Sequence, residues 1–131
     1  MTVSLTAATL MCLAQNIYFE ARNQSPDGQM MVAEVTLNRV ASQQYPDNVC
    51  DVVWQRKQFS WTQDGKSDTP LEGAAWELAQ EVAKEALSGK TLGSSATHYH
   101  ATYTSPKWAS SKRMKKLGQV GTHIFYKDTK A

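Results

Sequence analysis

From Met30 to Val40 the chain sets apolar residues on nearly every side of a helix, a pattern that suits a buried position at the centre of a fold. Ser25-Pro26-Asp27 stands directly before it, placing a capping hydroxyl ahead of a proline at the first helical position. This helix is expected to be the central one. On its N-terminal side, Leu10, Leu13, Ala14, Ile17 and Ala21 recur at helical spacing between Thr6 and Arg22, and Thr6 can serve as N-cap. A polar connection with Tyr45-Pro46-Asp47 follows, and Asp47 can cap a short helix through Trp54 that carries Val49, Val52 and Val53. Residues Gln58 to Ser67 read as a loop or small hairpin. Thr69-Pro70-Leu71-Glu72 has the form of a capping box, and Ala75, Leu78, Val82 and Ala86 continue as a helix until Gly89.

Beyond Gly93 the texture changes. Thr97 to Tyr103 alternates between two faces, and Gly121 to Tyr126 reads as a second short β segment. Between them, Lys107 to Lys116 is a basic stretch of the kind usually found as a solvated surface loop. The expectation is a single α+β domain over residues 1–131, a mainly helical body with a small β part.

At 131 residues and 41% hydrophobic content, the chain can bury one modest core. The 14 basic and 12 acidic residues nearly cancel, so no overall field points to nucleic acid. No stretch approaches the roughly 20 apolar residues of a membrane span, and the first residues lack the basic and apolar regions of an export signal. Cys12 and Cys50 are too few for a disulfide framework and lack zinc-knuckle spacing. They read as buried thiols, with one disulfide between them as the alternative.

The segment Ile17-Tyr18-Phe19-Glu20-Ala21-Arg22, then Gly28-Gln29, then Val35-Thr36-Leu37-Asn38-Arg39-Val40, resembles the cell-wall hydrolase family of the germination-specific spore-cortex lytic enzymes. Tyr45-Pro46, Gln58-Phe59-Ser60, Trp108 and Gly121-Thr122-His123-Ile124-Phe125-Tyr126 resemble the later signatures of that family in the same order. Each string is weak alone, but an ordered set across nearly the whole chain is specific. The resemblance implies a lysozyme-like fold, peptidoglycan glycan strands as substrate, and lytic transglycosylase or muramidase chemistry after N-acetylmuramic acid, with Glu20 as catalytic residue. The chain departs from the family at one point: Glu-Ala-Arg-Gly-Glu is common there, and Asn23-Gln24 follow Arg22 here. A bare catalytic domain of this kind also resembles a phage endolysin, made in the host cytoplasm without a signal peptide and acting on the wall or periplasmic peptidoglycan.

On the residues alone a structural role for Glu20 is favoured, and the resemblance turns the choice to catalysis. Glu20 falls about 20° from Leu13 on an ideal helical wheel, at the edge of the apolar stripe, while Arg22 projects about 160° away. Partial desolvation raises a carboxyl pKa, which a general acid requires. A structural glutamate paired with a distant cation is the plainer alternative. Glycosidases ordinarily use two carboxylates. Glu34 is the obvious second, but a structural role in the buried helix suits it better, and lytic transglycosylases manage with one glutamate. Flat apolar surfaces for the sugars are offered by Phe59-Ser60-Trp61, Tyr99 and Trp108, with Tyr126 better explained as core. Asn38 and Arg39 can serve simply to fix the second helix to its neighbours.

Competing readings exist. His98 and His100 share a strand face and His123 can approach from the second β segment, which would suit a zinc-dependent amidase cutting stem peptides. A non-catalytic wall-binding protein would use the same groove. Lys112, Arg113, Lys115 and Lys116 suggest adhesion to anionic surfaces more than nucleic-acid binding. The expectation is an enzyme with no metal or cofactor, monomeric, acting on peptidoglycan with no nucleic acid and no membrane insertion.

Overall fold

The computed structural model describes residues 6–55 and 73–131. The α+β expectation holds: a helical body is followed by a small three-stranded sheet. Helix α1 (Ala7–Ala21) begins at Thr6, whose side chain accepts from the Thr9 N–H, and α2 (Pro26–Ala41) begins at Ser25, whose hydroxyl accepts from the Gly28 N–H. Both caps satisfy backbone donors that the first turn leaves open. The short α3 (Val49–Val53) is capped by Asn48 and not by Asp47 as expected. The Asn48 side-chain oxygen Oδ1 accepts from the Asp51 N–H at 2.9 Å. Helix α4 (Gly73–Leu87) ends at Gly89, where the backbone turns left-handed with φ +91. There the Lys90 N–H reaches the Glu85 carbonyl at 2.9 Å and the Gly89 N–H reaches that of Ala86 at 3.1 Å, the paired closure of a Schellman motif. The capping box at Thr69 and the hairpin expected over Gln58–Ser67 lie outside the described residues.

Two apolar clusters explain why α2 is apolar all round. Met30, Ala33 and Val40 join Leu13, Ile17, Tyr18, the α3 valines and α4 on one side. Val32 and Val35 face Ala21, Ala96 and Phe125 of the sheet region on the other. The helix is sandwiched between body and sheet, and its Glu34 carboxylate accepts from the N–H groups of Leu92 (3.0 Å) and Ser94 (2.8 Å). Asn38 donates to the carbonyls of Ser94 and Ala96, and Arg39 Nε donates to that of Thr97. These contacts pin the approach to the sheet onto α2. Glu34, Asn38 and Arg39 thus have the fastening role that the sequence assigns them.

The sheet consists of β1 (His98–Ala101), β2 (Met114–Val120) and β3 (His123–Asp128) in the order β1-β3-β2, all antiparallel. Strand β2 corrects the reading of Lys107–Lys116 as a loop: only a 3-10 turn (Lys107–Ser110) precedes it, and the second half of the basic stretch pairs with β3. A register shift between Lys116 and Gly118 interrupts the alternation of β2, which hides it as a strand in the sequence. Arg113 is likewise no free surface cation, since it donates to Asp128 at 2.6 and 3.1 Å. The cysteines are also corrected. Cys12 of α1 and Cys50 of α3 form a disulfide, with Cα atoms 5.2 Å apart, and both are half-buried. No helix among the described residues is long and apolar enough to cross a membrane.

Candidate active site

Glu20 sits in the last turn of α1, beside Ala21, which packs against Val32, Val35 and Phe125. That position, one residue off a fully buried side chain, leaves the carboxyl half-buried. The Tyr99 hydroxyl of β1 donates to Glu20 Oε1 at 2.5 Å, across 79 residues of sequence. Burial pushes the Glu20 carboxyl above its ordinary pKa, against the opposing pull of the Tyr99 hydroxyl and of the Arg39 guanidinium. Desolvation wins because the only direct partner of the carboxylate among these is a neutral phenol. Among the described residues, Glu20 makes no salt bridge, and the Arg39 guanidinium acts on it through its charge.

Tyr99 itself is held well above its ordinary pKa, first by burial and then by the Glu20 charge. It therefore stays a hydrogen-bond donor. Its ring lies 5.0 Å from that of His123 and 5.5 Å from that of Phe125, and it touches both apolar clusters. The sequence offers Tyr99 as a flat surface for sugar, but the structure gives it a different place: ring in the packing, hydroxyl on Glu20. Arg39 is buried between, with its guanidinium over the Tyr45 ring at 5.1 Å. Burial lowers its pKa, yet a guanidinium remains charged, so it is a fixed cation near the carboxyl.

Trp108 lies apart. The register sets Tyr99 opposite Phe125, and His98 and His100 opposite Tyr126 and Ile124, so these two sets occupy opposite faces of the sheet. Trp108 covers the second face, 5.2 Å from the His98 ring, 5.6 Å from His100 and 5.3 Å from Tyr126. It does not meet Tyr99 or Glu20 in any ring or hydrogen-bond contact among those described. The same alternation separates His123, which stacks with Tyr99, from His98 and His100. Three histidines on two faces cannot close around one ion, and no group of three metal-binding side chains occurs among the described residues. His98 is further occupied by Thr97 and Tyr45, and burial lowers its pKa to about 4. Phe59, Ser60 and Trp61 lie outside the described residues.

The other two buried carboxylates among the described residues are engaged elsewhere, Glu34 on backbone N–H groups and Asp128 on Arg113. For Asp128, burial alone would raise the pKa, but the Arg113 guanidinium and the Lys130 N–H bring it below the ordinary range. Sequence reasoning missed a clasp next to Glu20. Gln24 donates from Nε2 to Thr122 Oγ1 at 2.8 Å and accepts on Oε1 from the Thr122 N–H at 3.1 Å. Gly121, at φ +59, leaves room for it, because a Cβ there would collide with Gln24 Oε1. Gln24 thereby fastens the β2–β3 turn to the α1–α2 junction.

This arrangement offers one carboxyl with raised proton affinity, oriented by a half-buried phenol and flanked by a fixed cation, at the junction of helical body and sheet. Comparison with known proteins gives the family and the fold. The Cell Wall Hydrolase family matches residues 23–126, beginning three residues after Glu20, and this chain belongs to that family. Spore cortex-lytic enzymes of Halalkalibacterium halodurans and Bacillus subtilis are 33% and 32% identical to it over 114 and 115 residues, 86% of this chain in each case. The chain spans only 33% and 35% of the length of those relatives. The catalytic domain of the germination-specific lytic transglycosylase SleB from Bacillus anthracis superposes with TM-score 0.79 at 27% identity, covering 97% of this chain and 100% of that domain. The Bacillus cereus SleB catalytic domain gives 0.76 at 27% identity, covering 95% of each.

Proposed function

We propose that this chain is a single catalytic domain that cleaves peptidoglycan glycan strands at the bond between N-acetylmuramic acid and N-acetylglucosamine. The observation that carries the reading is the desolvated Glu20 carboxyl held by Tyr99 at the place where body and sheet meet. In the first step the protonated carboxyl of Glu20 gives its proton to the glycosidic oxygen as the C1–O bond breaks and the N-acetylglucosamine end departs as an alcohol. In the second, the C6 hydroxyl of the muramic acid closes on C1 and its proton returns to the Glu20 carboxylate, leaving a 1,6-anhydro end. One carboxyl serves both steps, which suits a site whose other buried carboxylates are occupied. If water takes the place of the C6 hydroxyl, the same two proton transfers give a reducing end.

Work at the wall also suits the Cys12–Cys50 disulfide, since such bonds persist in oxidising surroundings. Purified peptidoglycan digested with the protein and examined by mass spectrometry is expected to yield 1,6-anhydromuramic ends. Freed stem peptides with intact glycan would overturn the reading in favour of an amidase.

Tyr99→Phe tests the positioning of the carboxyl. The Tyr99 hydrogen bond favours the charged form of Glu20, so its loss moves the Glu20 pKa further up. The acid then stays protonated to higher pH, and the alkaline limb of the kcat/KM profile shifts to higher pH. Loss of orientation is expected to lower kcat by about 10- to 100-fold. A limb that does not move would assign Tyr99 to packing alone.

A further inference from the structure

Four residues past Glu20, one side chain closes a circuit of contacts around the candidate site. The backbone of Gln24 is fixed at the α1–α2 junction. Its N–H donates to the Ala21 carbonyl at 2.9 Å, and its own carbonyl accepts from Nε2 of the fully buried Gln29 at 3.3 Å. From that anchor its amide holds Thr122 at two points, the hydroxyl and the backbone N–H. Thr122 in turn accepts on its carbonyl from the Thr102 N–H at 2.9 Å, directly after the end of β1. Ala101 of β1 pairs with His123, and the His123 ring lies 5.0 Å from that of Tyr99, whose hydroxyl returns to Glu20. The contacts therefore leave the end of α1 at Gln24 and come back to it at Glu20.

Stability does not account for this clasp. Gln24 is half-buried and Thr122 exposed, and hydrogen bonds open to water add little to folding because water competes for both partners. Position is what the clasp supplies. The His123 ring that backs Tyr99 has its Nδ1 buried without a partner among the described residues, so the ring is placed by its packing and by the strand, and Thr122 is its immediate neighbour. Resting on the glycan-cleaving reading above, we propose that Gln24 is a positioning residue for the cleavage step: by holding Thr122 to the end of α1 it sets where Tyr99 stands and keeps the phenol hydroxyl on Glu20. Its influence on the reaction runs through Tyr99 alone. Arg39 of α2, the other group that acts on the carboxyl, is held separately by the Thr97 carbonyl. Release of the clasp thus removes the phenol and leaves the cation in place.

The test titrates Glu20 directly by carbon NMR of its side-chain carboxyl, assigned by its absence from Glu20→Gln, beside steady-state kinetics on soluble glycan strands. Gln24→Ala is expected to lower kcat about tenfold with KM within about twofold of wild type. Its Glu20 pKa should rise, as in Tyr99→Phe, because a hydrogen bond that favours the charged form is lost. In a Tyr99→Phe background the same change is expected to cost less than about twofold, since the contact it supports is already gone. Gln24→Glu, whose carboxylate can accept from both the Thr122 N–H and the Thr122 hydroxyl, is expected to keep kcat within about twofold. An unmoved or lowered Glu20 pKa in Gln24→Ala, a loss that falls on KM instead of kcat, full additivity with Tyr99→Phe, or a Gln24→Glu as slow as Gln24→Ala would each overturn the proposal. The two readings fail separately: if no form cleaves glycan, the cleavage reading falls, while the titration of Glu20 still decides whether Gln24 keeps the phenol in place.

Discussion

Replacing Glu20 with glutamine is expected to abolish glycan cleavage while leaving the domain folded and able to bind peptidoglycan. Glutamine keeps the size of the acid and can still accept the Tyr99 hydrogen bond, but it has no proton to deliver. A positioned general acid contributes about 10² to 10⁴-fold, and Glu20 serves both steps, so a loss of that order or more is expected. The stability change has a definite sign. The folded-state pKa of Glu20 is raised, so the folded protein loses stability as pH climbs above the unfolded value, and the loss is complete above the folded one. Glu20→Gln should match the wild type at acid pH and be equal or more stable at neutral pH. Thermal unfolding across pH, run beside turbidity loss of a wall suspension, checks both. A variant that clears the suspension near the wild-type rate would remove Glu20 from the mechanism.

The other large effect concerns stability alone. The Cys12–Cys50 disulfide closes a loop with a sequence separation of 38 residues and ties α1 to α3. The chain-entropy account gives about 4 kcal/mol for a loop of that length. Cys12→Ser with Cys50→Ser is therefore expected to lower Tm by roughly 10 to 15 °C, with activity retained well below the transition because neither residue touches Glu20. Reductant should lower the Tm of the wild type by a similar amount and leave that of the double variant where it is. No effect of reductant on the wild type would mean that the thiols are not paired.

The helices were legible because their signals are local. Thr6, Ser25-Pro26 and Gly89 mark helix ends within one turn of the residues they serve, and the apolar pattern of α2 announced a helix covered on both sides. Signals that depend on distant partners were not legible. Strand β2 reads as a basic loop because it is an edge strand whose alternation is broken at the Lys116–Gly118 register shift. The spacing of Cys12 and Cys50 says nothing of α1 and α3 lying side by side. Glu20 was found through its motif and the edge of a helical stripe, but the Tyr99 hydroxyl that orients it arrives from 79 residues away. Gln24 was visible only as a departure from a pattern. Its dual bonding to Thr122 needed the fold.

The strand order β1-β3-β2 sets a schedule. Among the described residues, both outer strands find their only sheet partner in residues 123–128, which are translated after them. A ribosome that has released β1 and β2 but not β3 holds a chain in which Tyr99 has no strand to fix it and the Glu20 carboxyl has no phenol above it. A domain wired in this way gains its Glu20–Tyr99 contact when the central strand comes to lie between the other two.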